Sequence, residues 1–261
     1  MYYKNRKKLV VTLLFPLVIG LSLVSQLAAQ PAQPAQPPEP ILIQVNQLEI
    51  KPDKLEQFRT MHRDVFIPAG RANGTPWRLT STVALGNTLQ VTVASPIANM
   101  AALDTQGGPG SNQLEGQLAL DIWSETVQSR RSFIVTSRPD MSLPAEPQTG
   151  LTVQYRFQVK MGMIPQFVAL WNGSVIPALQ TSGIAGTAVF QTIAGGRIGE
   201  FFSLTPVANF ASADGPGPFG GLAPQDAAAL NAELSNLLDE LEIIYNQVDQ
   251  ELSYGLPGLQ P

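Results

Sequence analysis

Hydrophobic and polar positions along the chain fall into one pattern that is written twice. A run with period two opens each copy, at Ile41–Ile50 and again at Leu151–Lys160. In the second, Val153, Tyr155, Phe157 and Val159 alternate with Thr152, Gln154, Arg156, Gln158 and Lys160, which predicts a strand with one face on helices and the other wet or against polar partners. In the first, Ile43 and Val45 are out of phase with Leu48 and Ile50, as a bulge or a strand buried on both faces would produce. Helical spacing follows in both copies: Leu55, Phe58, His62, Val65 and Ala69 share one face, and Ile164, Phe167, Trp171 and Ala178 another.

The helices end in matching phrases, Val65–Gly74 (VFIPAGRANG) and Ser174–Gly183 (SVIPALQTSG). Each is followed by two alternating runs about a glycine turn, Trp77–Leu85 and Leu89–Ala94 around Gly86-Asn87, and Gly186–Ala194 and Ile198–Leu204 around Gly195-Gly196, the signature of a hairpin. Pro96-Ile97-Ala98-Asn99 then matches Pro206-Val207-Ala208-Asn209, read as a proline opening a short helix. Asp104 and Asp214 recur just after it, where they would close the turn into glycine-rich loops. A longer helix is expected with Leu230, Leu234, Leu237, Leu238 and Leu241 on one face, its counterpart carrying Leu114, Leu118, Ile122 and Trp123. Last strands are expected at Arg131–Ser137 and Glu242–Val248, with Pro139, Pro144 and Pro147 in the connection between copies. The unit is strand, helix, strand, strand, helices, strand, at residues 41–143 and 151–254.

Ahead of the repeats, residues 1–29 combine a basic start, the apolar run Leu9–Val24 and the small-residue site Leu27-Ala28-Ala29, the three-part form of a cleaved secretory signal. The expected location is therefore the periplasm or the extracellular space, with membrane contact only if that segment stays uncleaved. Residues 30–40, rich in Pro, Gln and Ala, read as a stiff linker. The 261 residues include no cysteine, which excludes disulfides, thiolate metal sites and thiol nucleophiles. The formal charge of -4 becomes more negative once the four basic residues of the signal are removed, so no nucleic-acid partner is expected.

The Ile-Pro-Ala helix ends, the glycine-turn hairpins and the Pro-x-Ala-Asn-x-Ala segments resemble the dimeric α+β barrel superfamily, ferredoxin-like units that pair their sheets. Within it they are most similar to NIPSNAP-like domains. The resemblance implies an α+β fold of two tandem ferredoxin-like units forming an intramolecular pseudo-dimeric α/β barrel. It also implies a range of activities, from cofactorless monooxygenases and haem-degrading enzymes to members with none, so the fold alone carries no reaction.

Candidate chemistry is sparse. His62 is the only histidine; on the buried face of its helix it could serve as a general base or haem ligand, or be a hydrogen-bonded core residue. Trp171 holds the matching place in the second copy, and Trp77 opens a strand where it could border a pocket mouth. One imidazole without a carboxylate cluster predicts no metal, and no cofactor is expected. Gly215-x-Gly217-x-x-Gly220 fits a dinucleotide fingerprint by letter, but no strand leads into it. A serine hydrolase is unsupported, there being no Gly-x-Ser-x-Gly elbow. Two expectations stand: an exported module that binds a small apolar ligand or a partner, with His62, Trp171 and Trp77 as candidate ligand-binding residues, or a monooxygenase-like or haem-binding enzyme that uses a cavity near His62.

Overall fold

A computed structural model describes residues 38–105, 121–144, 150–184, 186–215 and 217–256. The expected signal segment, most of the linker, the first glycine-rich loop and the apolar positions Leu114 and Leu118 lie outside the described residues. Eight strands close into one antiparallel barrel: β1 (Leu42–Ile50), β2 (Leu79–Val83), β3 (Gln90–Ile97), β4 (Val127–Ser137), β5 (Leu151–Val159), β6 (Ala188–Ala194), β7 (Glu200–Val207) and β8 (Leu238–Val248). The order around the barrel is β1-β3-β2-β8-β5-β7-β6-β4. The four N-terminal strands are thus contiguous as β4-β1-β3-β2 and the four C-terminal ones as β8-β5-β7-β6. The blocks meet at β2 with β8, through Ser81↔Val248, Thr82↔Gln247 and Val83↔Asn246, and at β4 with β6, around Val135↔Thr192.

Helices lie on the outside. Each outer layer begins with two short helices separated by a π-helical turn: α1 (Leu55–Met61), the turn His62–Phe66 and α2 (Ile67–Ala72), and likewise α4 (Ile164–Leu170), the turn Trp171–Val175 and α5 (Ile176–Thr181), with α3 (Ala102–Thr105) between them in sequence. The repeated Ile-Pro explains the turns. Pro68 has no N–H for the carbonyl four residues back, and its ring would collide with that carbonyl. One widened turn removes the conflict, so the Ile67 N–H donates to the His62 carbonyl and the Ile176 N–H to the Trp171 carbonyl, five residues back in each case.

Three apolar layers result. Phe58, Met61 and Phe66 seal against Leu48, Ile50, Val91 and Val93 on the outer face of the first block. Phe167, Trp171, Val175 and Leu179, with Leu230 and Leu234 of α6 (Pro224–Leu237), seal against Phe157, Val159, Val189 and Phe201 on the second. Ile43, Ala94, Phe133, Val135 and Phe202 meet inside the barrel. This settles the phase of β1: Ile43 and Val45 face the interior while Leu48 and Ile50 face helices, so the strand is buried on both faces. A register shift against β4 does occur, but at Glu49/Ile50, beyond the change of phase.

Several expected boundaries move. Pro96 and Pro206 open no helix; each sits in a strand, opposite Ile43 and Thr152. A proline is tolerated near a strand end because only one ladder bond is lost. The recurrent asparagines start the turns instead, Asn99 Oδ1 accepting from the Ala102 N–H at 3.0 Å and Asn209 Oδ1 from the Ser212 N–H at 3.2 Å. Leu238 and Leu241 leave the helical face, because α6 stops at Leu237 and the chain turns directly into β8, with φ -106° and ψ 142° at Leu238. Leu241, facing outward on that strand, is half exposed. The last strands begin earlier than expected, at Val127 and Leu238.

Beyond β8 the chain returns to β2 and is fastened there. Arg78 and Tyr254 exchange backbone hydrogen bonds of 2.9 and 3.0 Å, and the Thr80 hydroxyl donates to the Leu252 carbonyl at 2.8 Å. Gly255 makes the closure possible, with φ +66° and a position where an added Cβ would come within 2.1 Å of the Pro76 carbonyl oxygen. Gly255→Ala is expected to cost about 2 kcal/mol through strain and collision, measured as a lower urea midpoint; an unchanged midpoint would show that the fastening adds nothing to stability.

Candidate functional site

The face of β5 that alternates against its helix-facing residues turns inward, and so do its equivalents around the barrel. Together they enclose a cavity of about 360 Å³, within the range of small-molecule sites. Its wall has two characters. Phe133, Phe190, Phe202 and Leu204 form an apolar side; Thr92, Ser81, Asn246, Thr152 and Gln154 form a belt of hydroxyls and amides. The belt follows from register, since Thr92 pairs with Ser81 and Thr152 with Asn246 on neighbouring strands. Asn246 Nδ2 donates to Gln154 Oε1 at 3.1 Å. Among the described residues, no charged side chain lines the cavity.

The charge lies just beyond its floor. Phe133 and Phe202 stack with centroids 5.5 Å apart, and the Arg131 guanidinium lies 4.7 Å from the Phe133 ring centroid. Arg131 Nη2 donates to both carboxylate oxygens of Glu200, at 2.9 and 2.8 Å, Arg156 Nε lies 3.0 Å from Oε1, and the Thr192 hydroxyl donates to Oε2 at 3.0 Å. Arg156 also pairs with Glu242 at 2.7 Å. Glu200 is fully buried; two guanidiniums and a hydroxyl compensate the loss of water that makes a lone buried carboxylate prohibitive.

The three residues singled out in the sequence separate. Trp77 lines the cavity. Trp171 is in the outer layer of the second block, its indole N–H donating to the Met141 carbonyl at 2.8 Å and its ring against Phe157 and Phe167. His62 occupies the matching place in the first block, 4% exposed, with Phe58 and Phe66 ring centroids at 4.1 and 4.8 Å. Neither of its nitrogens has a hydrogen-bond partner among the described residues. Burial, and then the nearby Arg78 charge, push its pKa down to about 3, so the imidazole is neutral at physiological pH. Both nitrogens are covered, and the ring is held between two phenyl groups; this does not fit an axial haem ligand, which must present a nitrogen to an open face.

Sequence reasoning missed most of the cavity wall. Its trace was the second alternating phase of the strands, Thr152 and Gln154 above all, where polar residues recur on the face that turns into the barrel. Glu200, at the start of a strand and next to a glycine turn, gave no signal of burial.

No protein-family model matches the sequence, and no curated protein matches it. Solved structures do match. The putative monooxygenases of Lactobacillus acidophilus NCFM and of Fusobacterium nucleatum subsp. nucleatum superpose with a TM-score of 0.53 each, at 11% and 12% identity, over 80% of this chain and 93% and 92% of theirs. An anthrone oxidase-like protein superposes with a TM-score of 0.53 at 14% identity, over 84% of this chain and 94% of its own. The fold is that of the dimeric α+β barrels. The likeness is one of fold, and nothing in it singles out the NIPSNAP-like domains.

Proposed function

We propose that the protein is an exported binding module that holds a small, uncharged, largely apolar molecule inside its barrel, the two repeats of one chain taking the parts of two paired subunits. The observation that carries this reading is the interior cavity, with an aromatic wall facing a hydroxyl and amide belt. An apolar body gains from leaving water against the phenyl rings, at about 25 cal/mol per Å² of surface removed. A hydroxyl or carbonyl on the ligand can meet the belt, whereas a charged group would find no counter-ion there. The contiguous β4-β1-β3-β2 and β8-β5-β7-β6 blocks support the fused pairing, and the amino-terminal residues support export.

The test is titration with N-phenyl-1-naphthylamine, an uncharged dye that brightens in apolar surroundings. Saturable brightening at one dye per chain is expected, lost in Ala188→Trp, which fills the cavity from β6. Equal brightening in a folded Ala188→Trp variant, or none in the natural protein, would remove the reading. The fold-likeness to monooxygenases and to the anthrone oxidase-like protein supports a second reading, in which the occupant is a phenol or anthrone oxidised in this same cavity. Oxygen uptake with such compounds that Ala188→Trp abolishes would establish it in place of simple binding.

A further inference from the structure

Arg78 lies on β2's approach between two cavity-lining residues, Trp77 and Leu79. Alternation therefore turns its side chain the other way, toward the outer layer of α1, the π-helical turn and α2. There its Nε and Nη1 are buried, with no hydrogen-bond partner among the described residues. It differs in this from other arginines, half-buried or exposed. Arg59, Arg131, Arg138 and Arg156 each pair with a carboxylate, and Arg130 bonds to Asn46. The acids on the strand-end segment nearby, Asp249 and Glu251, are taken by Arg59.

Two further buried polar groups share the electrostatic environment of Arg78 and lack partners as well. One is the His62 imidazole, whose charged form Arg78 disfavours. The other is the Tyr254 hydroxyl, on the residue bridged to Arg78 through the backbone and 5% exposed. Arg71 lies over the Tyr254 ring at 4.9 Å from its centroid and is itself exposed, adding a second positive charge at the rim. Each buried unsatisfied donor costs about 1–3 kcal/mol, and more when it is charged. Arg78 and Tyr254 stand opposite each other in an antiparallel bridge, which puts their side chains on one face, and His62 lies in the outer layer that this face meets, between Phe58 and Phe66. They are a guanidinium, a phenol and a neutral imidazole, all able to donate, with no carboxylate among the described residues to receive them.

We propose that Arg78, with Tyr254 and His62 beside it and Arg71 at the rim, is a binding site for an oxyanion, the carboxylate or phosphate group of a small molecule. An anion supplies the charge that the guanidinium lacks and acceptor oxygens for the remaining donors. The site is on the opposite face of β2 from the barrel cavity, so it stands or falls independently of what the cavity holds. Arg71, on α2, and Tyr254, on the segment fastened to β2, would be drawn together by the same ligand.

Because His62 is the only histidine, its ring nitrogens give a single imidazole pattern in a ¹H–¹⁵N spectrum of the full chain, a reporter inside the site. Inorganic phosphate and acetate are titrated separately, with ionic strength held constant by chloride. A saturable shift of the His62 resonances is expected with at least one of them, and the responding anion tells phosphate from carboxylate recognition. Arg78→Met should weaken that response at least tenfold while leaving dye binding in the barrel intact. If Arg78→Met does not fold, Tyr254→Phe, which removes only the hydroxyl, should still weaken binding severalfold. Resonances that stay still under both anions would overturn the proposal, as would a shift of equal affinity in the folded Arg78→Met or Tyr254→Phe protein.

Discussion

Lowering the pH from 7 to 5 is expected to take about 2 kcal/mol from the stability of this protein through His62 alone. The imidazole has a pKa of about 3 in the fold, where burial and the Arg78 charge oppose its protonation, against about 6.5 in the unfolded chain. Between those values the unfolded chain takes up a proton that the folded chain refuses. The contribution is therefore fully present above about pH 6.5, and it is lost as the pH falls toward 3, at about 1.4 kcal/mol per unit. Urea midpoints at pH 7 and pH 5 check this on the natural protein and on His62→Leu. The natural protein should lose stability over that interval and the variant should lose little. Asp140, held below the usual carboxylate range by its hydrogen bond from Arg138, destabilises on acidification too, but its loss develops nearer pH 4 and is common to both proteins. Parallel decline of the two midpoints would show that His62 is not buried neutral.

Glu200→Gln is expected to cost about 3 kcal/mol, since removing one member of a buried ion network leaves the others without counter-charge. The amide preserves the size of the side chain and so isolates the charge. Arg156 keeps Glu242, but Arg131 has no second carboxylate among the described residues. Replacing the pair together, Arg131→Met with Glu200→Leu, should recover more than half of the loss, because apolar groups of similar volume need no compensation. The same comparison reads out the cavity. Arg131 lies over Phe133, which stacks on Phe202 at the cavity floor, so Glu200→Gln should also weaken dye binding. A single variant as stable as the natural protein would mean that the network is solvated rather than sealed.

What could be read in the sequence and what could not divide along the range of the interactions. The helical run that carries Ile67-Pro68, the glycine turn at Gly86-Asn87 and the alternation of β5 are local, set by one residue's φ or by neighbours a few positions apart, and the corresponding elements are present in the fold. The widened turn at His62 was also within reach, because a proline that follows a buried helical run forces it. The meaning of Thr152 and Gln154 was not. A polar residue on a strand looks the same whether its face meets solvent or the interior of a closed barrel, and only closure at β2 with β8 and β4 with β6 decides. Leu238 shows a different limit: its spacing continues the helical pattern of Leu230 and Leu234, and pairing with Val159 on β5 overrides it. The unpartnered state of Arg78 depends on which acids the fold gives to Arg59, which no spacing records.

The places where the two strand blocks join have a consequence for how the wall moves. Each join is a short stretch of ladder, whereas β1 and β5 are bonded along nearly their whole length on both sides. A cylinder stitched in this way breathes at its stitches, and amide hydrogens at Thr82 and Val83 should trade with solvent sooner than those of Val45 or Phe157. A guest that touches strands of both halves would then slow exchange at those joins before it does so in the middle of either block.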